Sequence, residues 1–558
     1  MVAASTHNDY VALPMLHATP LAARGRLFSF WHRFVRIRRP RGVGLLAAGA
    51  GTRPFTRGPE KPKRRGLRKW AAALSGLAFL LGVHACSLEQ DGEPPARDVF
   101  YFPTAVALGR DAETGRPDYL YVVNSNFDRK YNSGNVLAID LDKLQEKIAG
   151  TLEAADDQER ETGVGGACSR GGGRDCLLAH QVAEDDWRVP EEVIADEVVI
   201  GSLGRGAALS RDGTRLYVPT AADAELTFID IDKGDGSLEL SCGQGSGRRC
   251  AGGHLVGQAG SDDDRREMVD PVGVIAGAFG DFASGQRQRS EYVIVAYRAG
   301  AVALFSASED GPVLADVSAN LAGNLTGLAY DPAGRVSLVT SRALGGGGAR
   351  TLQRVGLLAD PSEHVFRLAA LELEGVTSAQ DTWAIQVVSD AADNEEGTGD
   401  SGGDENEGDA GDGEDARQST AFVVSRQPNA LLRVPLVAGL PAKQTVEQIA
   451  PVGQGPARLA LGSLPDPDRE GDLRIAVVSC FDERRLFIID RDLGRALSIV
   501  PGFSGSFELA VDEARELIYV ADFSASVVRV VSVQGLAQGR QARIIATLGR
   551  PNLVEVLQ

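Results

Sequence analysis

Polar side chains that could bind a ligand recur directly after short apolar runs of this 558-residue chain, for example after YVVN at 121–124. The turn NSNFDRKYNSGN at 124–135 combines hydrogen-bonding side chains with Phe127 and Tyr131, and three later turns each carry an arginine. Guanidinium groups in neighbouring turns would form an anion-binding patch. The competing interpretation is that Asn and Asp occur there because they form turns. The candidate binding face consists of Asn124, Asn126, Asp128, Tyr131, Asp223, Arg298, Arg342, Arg426, Asp482 and Asp522.

Motifs of the common enzyme classes are absent from the sequence. From Cys86 onward there are three histidines, His180, His254 and His364, and none pairs with another ligand at metal-binding spacing. The chain has no G-x-S-x-G, H-E-x-x-H, P-loop or C-x-x-C-H motif. We therefore predict no metal site and favour a binding protein over an enzyme, although a site built from carboxylates stays open.

The polar turns belong to a repeat of short strands rich in β-branched residues. Seven units of up to four strands begin near residues 104, 206, 272, 326, 381, 457 and 507. Repeated four-stranded units are typical of a β-propeller, in which radial closure protects strand edges. We predict an all-β propeller over 100–558 with seven blades and long inserted loops; eight blades, or a pair of β-sandwiches, are the alternatives. The final GRPNLVEVLQ would pair with the first blade and close the ring.

Three units share a more specific pattern. Residues 206–232, GAALSRDGTRLYVPTAADAELTFIDID, resemble the YVTN-type β-propeller repeat, as do 104–140 and 507–531. The resemblance implies the propeller fold more than any activity. Some similar propellers are sugar-lactone hydrolases that hold calcium at the channel mouth with carboxylates and Asn. A calcium-dependent lactonase is therefore the alternative function, and calcium is its only cofactor.

The cysteines and an acidic stretch mark the inserted loops. Cys168 with Cys176, and Cys242 with Cys250, form two C-x7-C pairs in glycine-rich segments and predict two local disulfides, with zinc as the alternative. Cys480 ends an apolar strand and is predicted to be a buried free thiol. Residues 390–416 contain twelve acidic residues and no basic one, and they predict a disordered loop without the ligand spacing of an EF-hand.

A basic stretch at 61–70 precedes fifteen uncharged residues at 71–85, which is the layout of a secretory signal peptide. The sequence V-H-A-C at 83–86 resembles a bacterial lipobox, which implies that Cys86 is lipidated after cleavage, and Ser87 by the same resemblance favours the outer membrane. Plain secretion and an uncleaved anchor are the alternatives. We divide the N-terminal region into an extension at 1–66 that is non-structural or results from a wrong start codon, a signal peptide at 67–85 and a tether at 86–99.

Charge excludes one class of partner. The whole chain carries −18 and residues 1–70 carry +13, so the portion from Cys86 onward carries −31. Such a chain is not attracted to nucleic acid by its net field. The sequence thus predicts an exported lipoprotein, in the outer membrane or periplasm of a Gram-negative bacterium. It would act as a binding or scaffold module for an envelope protein or glycan.

Overall fold

The computed structural model describes most of the compact unit Gln90–Gln558. The described ranges are 93–111, 113–149, 188–222, 225–234, 237–243, 248–257, 268–278, 291–308, 310–319, 321–331, 336–342, 352–359, 366–371, 381–389, 419–436, 446–467 and 471–549. Several sequence-based predictions lie outside these ranges: the N-terminal extension, signal peptide and Cys86, the Cys168–Cys176 pair, Asp223, the acidic loop at 390–416 and the C-terminal strand.

The strands group into seven consecutive antiparallel sheets, here called blades 1 to 7. Blade 1 contains β1 (Pro103–Arg110), β2 (Pro117–Asn124), β3 (Gly134–Asp140) and β4 (Ile194–Ile200). Blade 2 contains β5 (Ala208–Leu209), β6 (Arg215–Thr220), β7 (Glu225–Gly234), β8 (Ser237–Ser241) and β9 (Leu255–Gly257). Blade 3 contains β10 (Pro271–Ala278), β11 (Glu291–Tyr297), β12 (Ala301–Ser306) and β13 (Val313–Ser318). Blade 4 contains β14 (Leu325–Asp331), β15 (Val336–Ser341), β16 (Leu352–Ala359) and β17 (Phe366–Leu371).

The remaining blades follow the same order. Blade 5 contains β18 (Thr382–Ser389), β19 (Ser419–Arg426), β20 (Asn429–Leu436) and β21 (Glu447–Pro451). Blade 6 contains β22 (Pro456–Leu464), β23 (Leu473–Cys480), β24 (Arg485–Asp490) and β25 (Arg495–Pro501). Blade 7 contains β26 (Ser506–Asp512), β27 (Leu517–Asp522), β28 (Val527–Ser532) and β29 (Arg543–Leu548). A helix covers 141–149, and 3-10 turns cover Glu191–Val193, Gly252–His254 and Phe523–Ala525.

The first strand of each blade lines the centre of a closed ring. Each first strand contacts the first strand of the next blade, and β26 contacts β1 to complete the circle. This arrangement confirms the seven-bladed β-propeller and excludes the pair of β-sandwiches. The observed first strands begin within two residues of the seven predicted unit starts.

Burial on both sides explains the composition of the middle strands. The second and third strands of a blade are covered by the two neighbouring blades, so they are apolar at nearly every position rather than at alternate ones. Tyr121, Tyr217 and Tyr519 occupy equivalent positions on the second strands of blades 1, 2 and 7, and all three are almost fully buried. Burial raises the pKa of Tyr217 to about 12. Each such aromatic side chain buries on the order of 150–250 Å².

One predicted disulfide is confirmed. Cys242 and Cys250 are bonded, and the loop they close packs against blade 1, where the Cys250 N–H donates to the Val199 carbonyl at 2.8 Å. The loop therefore connects blade 2 to the outermost strand of blade 1. Cys480 is a buried free cysteine, as predicted, and burial raises the pKa of its thiol to about 12.

The described strands of blades 7 and 1 are consecutive in the chain, so no described strand is shared between these two blades. Side-chain contacts hold the described parts of the joint together. A shared apolar cluster includes Leu120 and Val122 of blade 1 with Tyr519 and Val530 of blade 7. Arg515 of the β26–β27 turn crosses the joint with a side chain that is only 2% exposed.

The Arg515 guanidinium satisfies groups of both blades. Its Nη1 donates to the Pro117 carbonyl at 2.7 Å and to Asp512 Oδ2 at 2.9 Å, and its Nε donates to Gln145 Oε1 at 3.2 Å. A further bond joins it to Asp142 of the same helix. Removing this side chain would leave the buried Asp512 carboxylate without its cation.

We expect Arg515→Gln to lower the free energy of unfolding by about 3 kcal/mol or more, because it breaks a buried ion pair and frees a buried carbonyl. Urea unfolding followed by circular dichroism measures the change. The matched control is Arg474→Gln, which breaks an Arg–Asp pair whose side chains are about half exposed. That control should cost about 1 kcal/mol or less. Equal losses in the two variants would contradict closure by Arg515.

Candidate functional site

The turns that carry the predicted binding residues gather at one end of the central channel. They connect second to third strands, so they share a face with the loops that lead from each fourth strand into the next first strand. Six of the seven first strands have a β-bulge at this end, with one extra residue against the second strand. The extra residues are Thr104, Val272, Thr326, Trp383, Ala457 and Phe507. Bulges of this kind re-aim a side chain, and here they set residues at the channel mouth.

Five arginines meet at this mouth, one from each of blades 2 to 6. Arg298, Arg342 and Arg426 come from the second-to-third strand turns, as the sequence predicted. Arg205 precedes β5 and Arg458 lies on β22, directly after a bulge. We call Arg205, Arg298, Arg342, Arg426 and Arg458 the arginine arc.

Asp270 joins two members of the arc. Arg298 Nε donates to Asp270 Oδ2 at 2.6 Å, and Arg205 Nε lies 3.7 Å from the other carboxylate oxygen. Burial lowers the pKa of Arg205; Asp270 opposes this shift, and the charges of Arg298 and Arg458 lower the pKa further. The single carboxylate of Asp270 therefore only partly neutralises the charges of Arg205 and Arg298.

Trp383 lies between two other members of the arc. The Arg426 guanidinium carbon is 3.5 Å from the centre of the Trp383 ring, and that of Arg342 is 5.0 Å away. Asp381 fixes this group, since its Oδ1 accepts from Trp383 Nε1 at 2.9 Å and from Arg342 Nε at 3.2 Å. Arg426 Nε also donates to the Pro456 carbonyl at 3.0 Å. These contacts hold the two guanidinium groups against an aromatic face.

Burial lowers the pKa of Arg426. Asp482 and Asp381 oppose that shift, and the charges of Arg342 and Arg458 increase it. Arg458 thus contributes to the lowered pKa of both Arg205 and Arg426, so its charge links the two groups of the arc.

Glu508 is the carboxylate partner of Arg458. Arg458 Nε lies 3.3 Å from Glu508 Oε2, and its guanidinium group covers the Phe507 ring at 4.4 Å. About a quarter of the Glu508 side chain is exposed, as expected for a side chain that faces the channel of a ring of blades. Burial raises the pKa of Glu508, and Arg458 opposes the shift.

Blades 7 and 1 complete the mouth with aromatic side chains. The rings of Phe102, Phe127, Phe507 and Phe523 lie in mutual contact, with centroid separations of 5.1–6.0 Å. Phe127 is 40% exposed and is the outermost of the four. We call these four residues the phenylalanine patch.

Three of the predicted polar residues use their hydrogen bonds within the protein. Asn124 donates to Asn135 Oδ1 at 2.7 Å, and Asn126 donates to the Tyr131 carbonyl at 2.7 Å. The buried Asp522 carboxylate accepts from the Gly505 N–H at 2.7 Å and from Arg529 Nε at 2.8 Å. These side chains shape the turns, whereas Asp128 and Asp482 are exposed on the same face.

The start of the described chain also lies on this face. The Asn132 N–H donates to the Glu93 carbonyl at 3.2 Å, and the rings of Tyr101 and Tyr131 are 4.4 Å apart. Residues 93–102 thus run along the rim of blade 1 to the channel mouth. In the part of the chain that the structure describes, no helix is long and apolar enough to cross a bilayer.

Three carboxylates described at the mouth are each placed beside an arginine. Among them and elsewhere in the described ranges, no three His, Cys, Asp or Glu side chains come together in a group suited to a metal ion. Asp270, Asp381 and Glu508 each face an arginine, so a cation placed there would be repelled. A surface depression of about 550 Å³ lies at the opposite face, between blades 6 and 7, and takes no part in this cluster.

The fold defines the class of the protein as a seven-bladed β-propeller. No protein-family model and no curated protein matches the sequence. Solved structures with a similar fold include the hydrazine synthase of Kuenenia stuttgartiensis, at 12% identity over 77% of this chain and 95% of that chain, with a TM-score of 0.40.

Two further similar structures were found. Sqt1 of Chaetomium thermophilum is 9% identical over 80% of this chain and 85% of its own, with a TM-score of 0.40. A functionally unknown protein from Desulfotomaculum acetoxidans is 11% identical over 64% of this chain and 93% of its own, with a TM-score of 0.38.

We expect the mouth to attract anions more strongly as the pH falls. Because the pKa of Glu508 lies above its usual value, this carboxylate takes up a proton before an ordinary glutamate does, and the charge of Arg458 is then unbalanced. Protonation and anion binding therefore favour each other. The probe is iodide quenching of Trp383 fluorescence, in residues 87–558 carrying Trp187→Phe so that Trp383 is the only tryptophan.

Iodide quenching should be stronger at a mildly acidic pH than at neutral pH, because the raised pKa of Glu508 brings its protonation closer to neutrality. Quenching by caesium ions should be weaker at the acidic pH. The Glu508→Gln variant should show strong iodide quenching at both pH values. An unchanged pH response in that variant would assign the effect to another group.

Proposed function

We propose that this protein is a binding module, not an enzyme, and that its ligand lies across the channel mouth between the arginine arc and the phenylalanine patch. The observation that carries the proposal is the convergence of five arginines from five blades in a chain portion whose net charge is −31. Gathering like charges in a partly buried place costs free energy. A bound anion would offset that cost, and a rigid ring of loops is suited to present such a site.

We also propose that the module is exported and anchored by a lipid on Cys86, and that it belongs to the YVTN-type propellers. The apolar stretch at 71–85 and V-H-A-C support the anchor. The equivalent buried Tyr121, Tyr217 and Tyr519 support the repeat type. Six residues separate Cys86 from Glu93, and an extended chain between these two residues spans at most about 25 Å. Since Glu93 lies at the rim of the ligand face, an anchored protein would hold that face near the membrane surface.

Site-specific photo-crosslinking in the producing cell tests the proposed ligand face. A photoreactive amino acid replaces Phe127 at the mouth or Val313, which is 60% exposed at the start of an outermost strand. We expect an envelope protein or glycan to be captured from position 127 and not from position 313. Equal capture from both positions, or capture from 313 alone, would contradict a ligand face at the mouth.

Lactone hydrolysis tests the enzymatic alternative in the same purified protein. Because the mouth carboxylates are paired with arginines, we expect no turnover of sugar lactones with calcium or with EDTA. Turnover that requires calcium and disappears with EDTA would overturn the binding proposal in favour of a lactonase.

Metabolic labelling with palmitate tests the anchor separately. We expect the label in the wild-type protein and not in Cys86→Ser, because only the thiol of this residue would carry the lipid-bearing thioether. The variant should be released from the membrane fraction. Palmitate incorporation that persists in Cys86→Ser would exclude Cys86 as the attachment residue.

A further inference from the structure

The two halves of the channel mouth differ in chemistry. Blades 2 to 6 contribute the arginine arc, and blades 7 and 1 contribute the phenylalanine patch. Phe507 joins them, since its ring contacts Phe523 at 5.6 Å and lies 4.4 Å from the Arg458 guanidinium carbon. A ligand that spans the mouth therefore meets cations on one side and apolar side chains on the other.

The arc retains unused hydrogen-bond donors. An arginine has five N–H donors, yet no described residue accepts a hydrogen bond from the Arg205 guanidinium group. Among the described residues, Arg298 and Arg342 each use Nε alone, for Asp270 and Asp381. The remaining donors lie on the terminal nitrogens, which in a guanidinium group match the two oxygens of a carboxylate.

The aromatic faces of the arc are already covered. Trp383 carries the Arg426 guanidinium group at 3.5 Å, and Phe507 carries that of Arg458 at 4.4 Å. The ring of a neutral sugar packs on an open aromatic face, and these two faces are occupied by cations. The phenylalanine patch instead suits the side chain of Leu or Phe, which buries apolar area on contact. The mouth thus fits carboxylates beside a large apolar side chain better than a neutral glycan.

We infer that the ligand is an acidic polypeptide segment, with carboxylates on the arginine arc and at least one large apolar side chain on the phenylalanine patch. This inference rests on the proposed function and narrows its ligand to one class. Charge complementarity supports it locally, since the mouth is a concentration of arginine in a strongly acidic chain. Nucleic acid is disfavoured because its dense phosphate charge is repelled by the net field of the chain more strongly than the few carboxylates of a peptide segment are.

Fluorescence of Trp383 provides the binding assay, again in residues 87–558 with Trp187→Phe. The first probe is a short peptide containing four glutamates around one phenylalanine. The second replaces each glutamate by glutamine, and the third replaces the phenylalanine by serine. A sulfated oligosaccharide and inorganic phosphate complete the series, so that the class of anion is tested as well as the charge.

We expect the first peptide to bind, and the glutamine peptide to bind at least about tenfold more weakly, as for the loss of charge-assisted hydrogen bonds. The serine peptide should bind several-fold more weakly, because one aromatic contact with the patch is lost. Equal binding of the glutamate and glutamine peptides would overturn the inference.

Arg205→Gln tests the arc itself. The substitution breaks no hydrogen bond within the described residues, and Asp270 keeps Arg298 as its partner, so the fold should be retained. We expect affinity for the glutamate peptide to fall about tenfold. Arg495→Gln removes the same charge from an exposed position at the opposite face and should change nothing. Equal losses in both variants would mean that net charge alone acts.

Phe127→Ser tests the patch at its most exposed member. It should lower the affinity for the phenylalanine peptide several-fold and leave the affinity for the serine peptide unchanged. The reason is that Phe127→Ser in the protein and the serine in the peptide remove the same contact. Independent, additive losses would overturn the assignment of the apolar side chain to the patch. The circular dichroism melting curve of each variant verifies that the fold is intact.

The outcomes separate this inference from the proposed function. Binding of the sulfated oligosaccharide with no binding of any peptide would overturn the polypeptide inference and leave an anion-binding mouth. Binding of none of the probes, together with no crosslink from position 127, would overturn both.

Discussion

Ring closure between blades 7 and 1 is the constraint on which the rest of the structure depends. Seven twisted sheets close only if the last packs against the first, and in the described chain these two share no strand. The apolar cluster around Leu120 and Tyr519 and the buried Arg515 hold them together. At the mouth the same joint brings Phe102 of one blade against Phe523 of the other at 5.1 Å. The phenylalanine patch therefore exists only in the closed ring.

The closed ring also creates the arginine arc, because no blade alone contains it. Each blade from 2 to 6 supplies one member, and the bulges of the first strands aim residues at the mouth where the strands converge. Trp383 shows the effect: as the extra residue of its bulge, it reaches Arg342 of the preceding blade and Arg426 of its own. The fold thus converts five distant positions of the sequence into one electrostatic cluster.

Much of the architecture could be predicted from the sequence, because the second strand of each blade carries a strong local signal. In β2, for example, the run YVVN at 121–124 is followed directly by a turn. Four of the outermost strands, β8, β13, β17 and β25, carry a weaker sequence signal, since their apolar runs are short or interrupted by polar residues. Arg298, Arg342 and Arg426 were identified because they stand at the ends of recognisable strands. Arg205 lies in a loop and Arg458 lies on a first strand, so neither position stands out in the sequence. Only the closure of the ring, together with the bulge that precedes Arg458, brings them to the mouth.

Long-range and short-range electrostatics act in opposite directions at this mouth. Beyond a Debye length of about 10 Å at 0.1 M salt, an approaching anion meets the screened field of a chain portion carrying −31. Within hydrogen-bonding distance it meets the N–H donors of Arg205, Arg298 and Arg342 that no described residue uses, in a place where partial burial strengthens each contact. For the proposed ligand, charge alone would therefore not be enough: shape and apolar contact with Phe127 would have to bring its carboxylates close to the arginines. A site of this kind would select ligands that carry both features over simple polyanions, which a uniformly basic surface would bind.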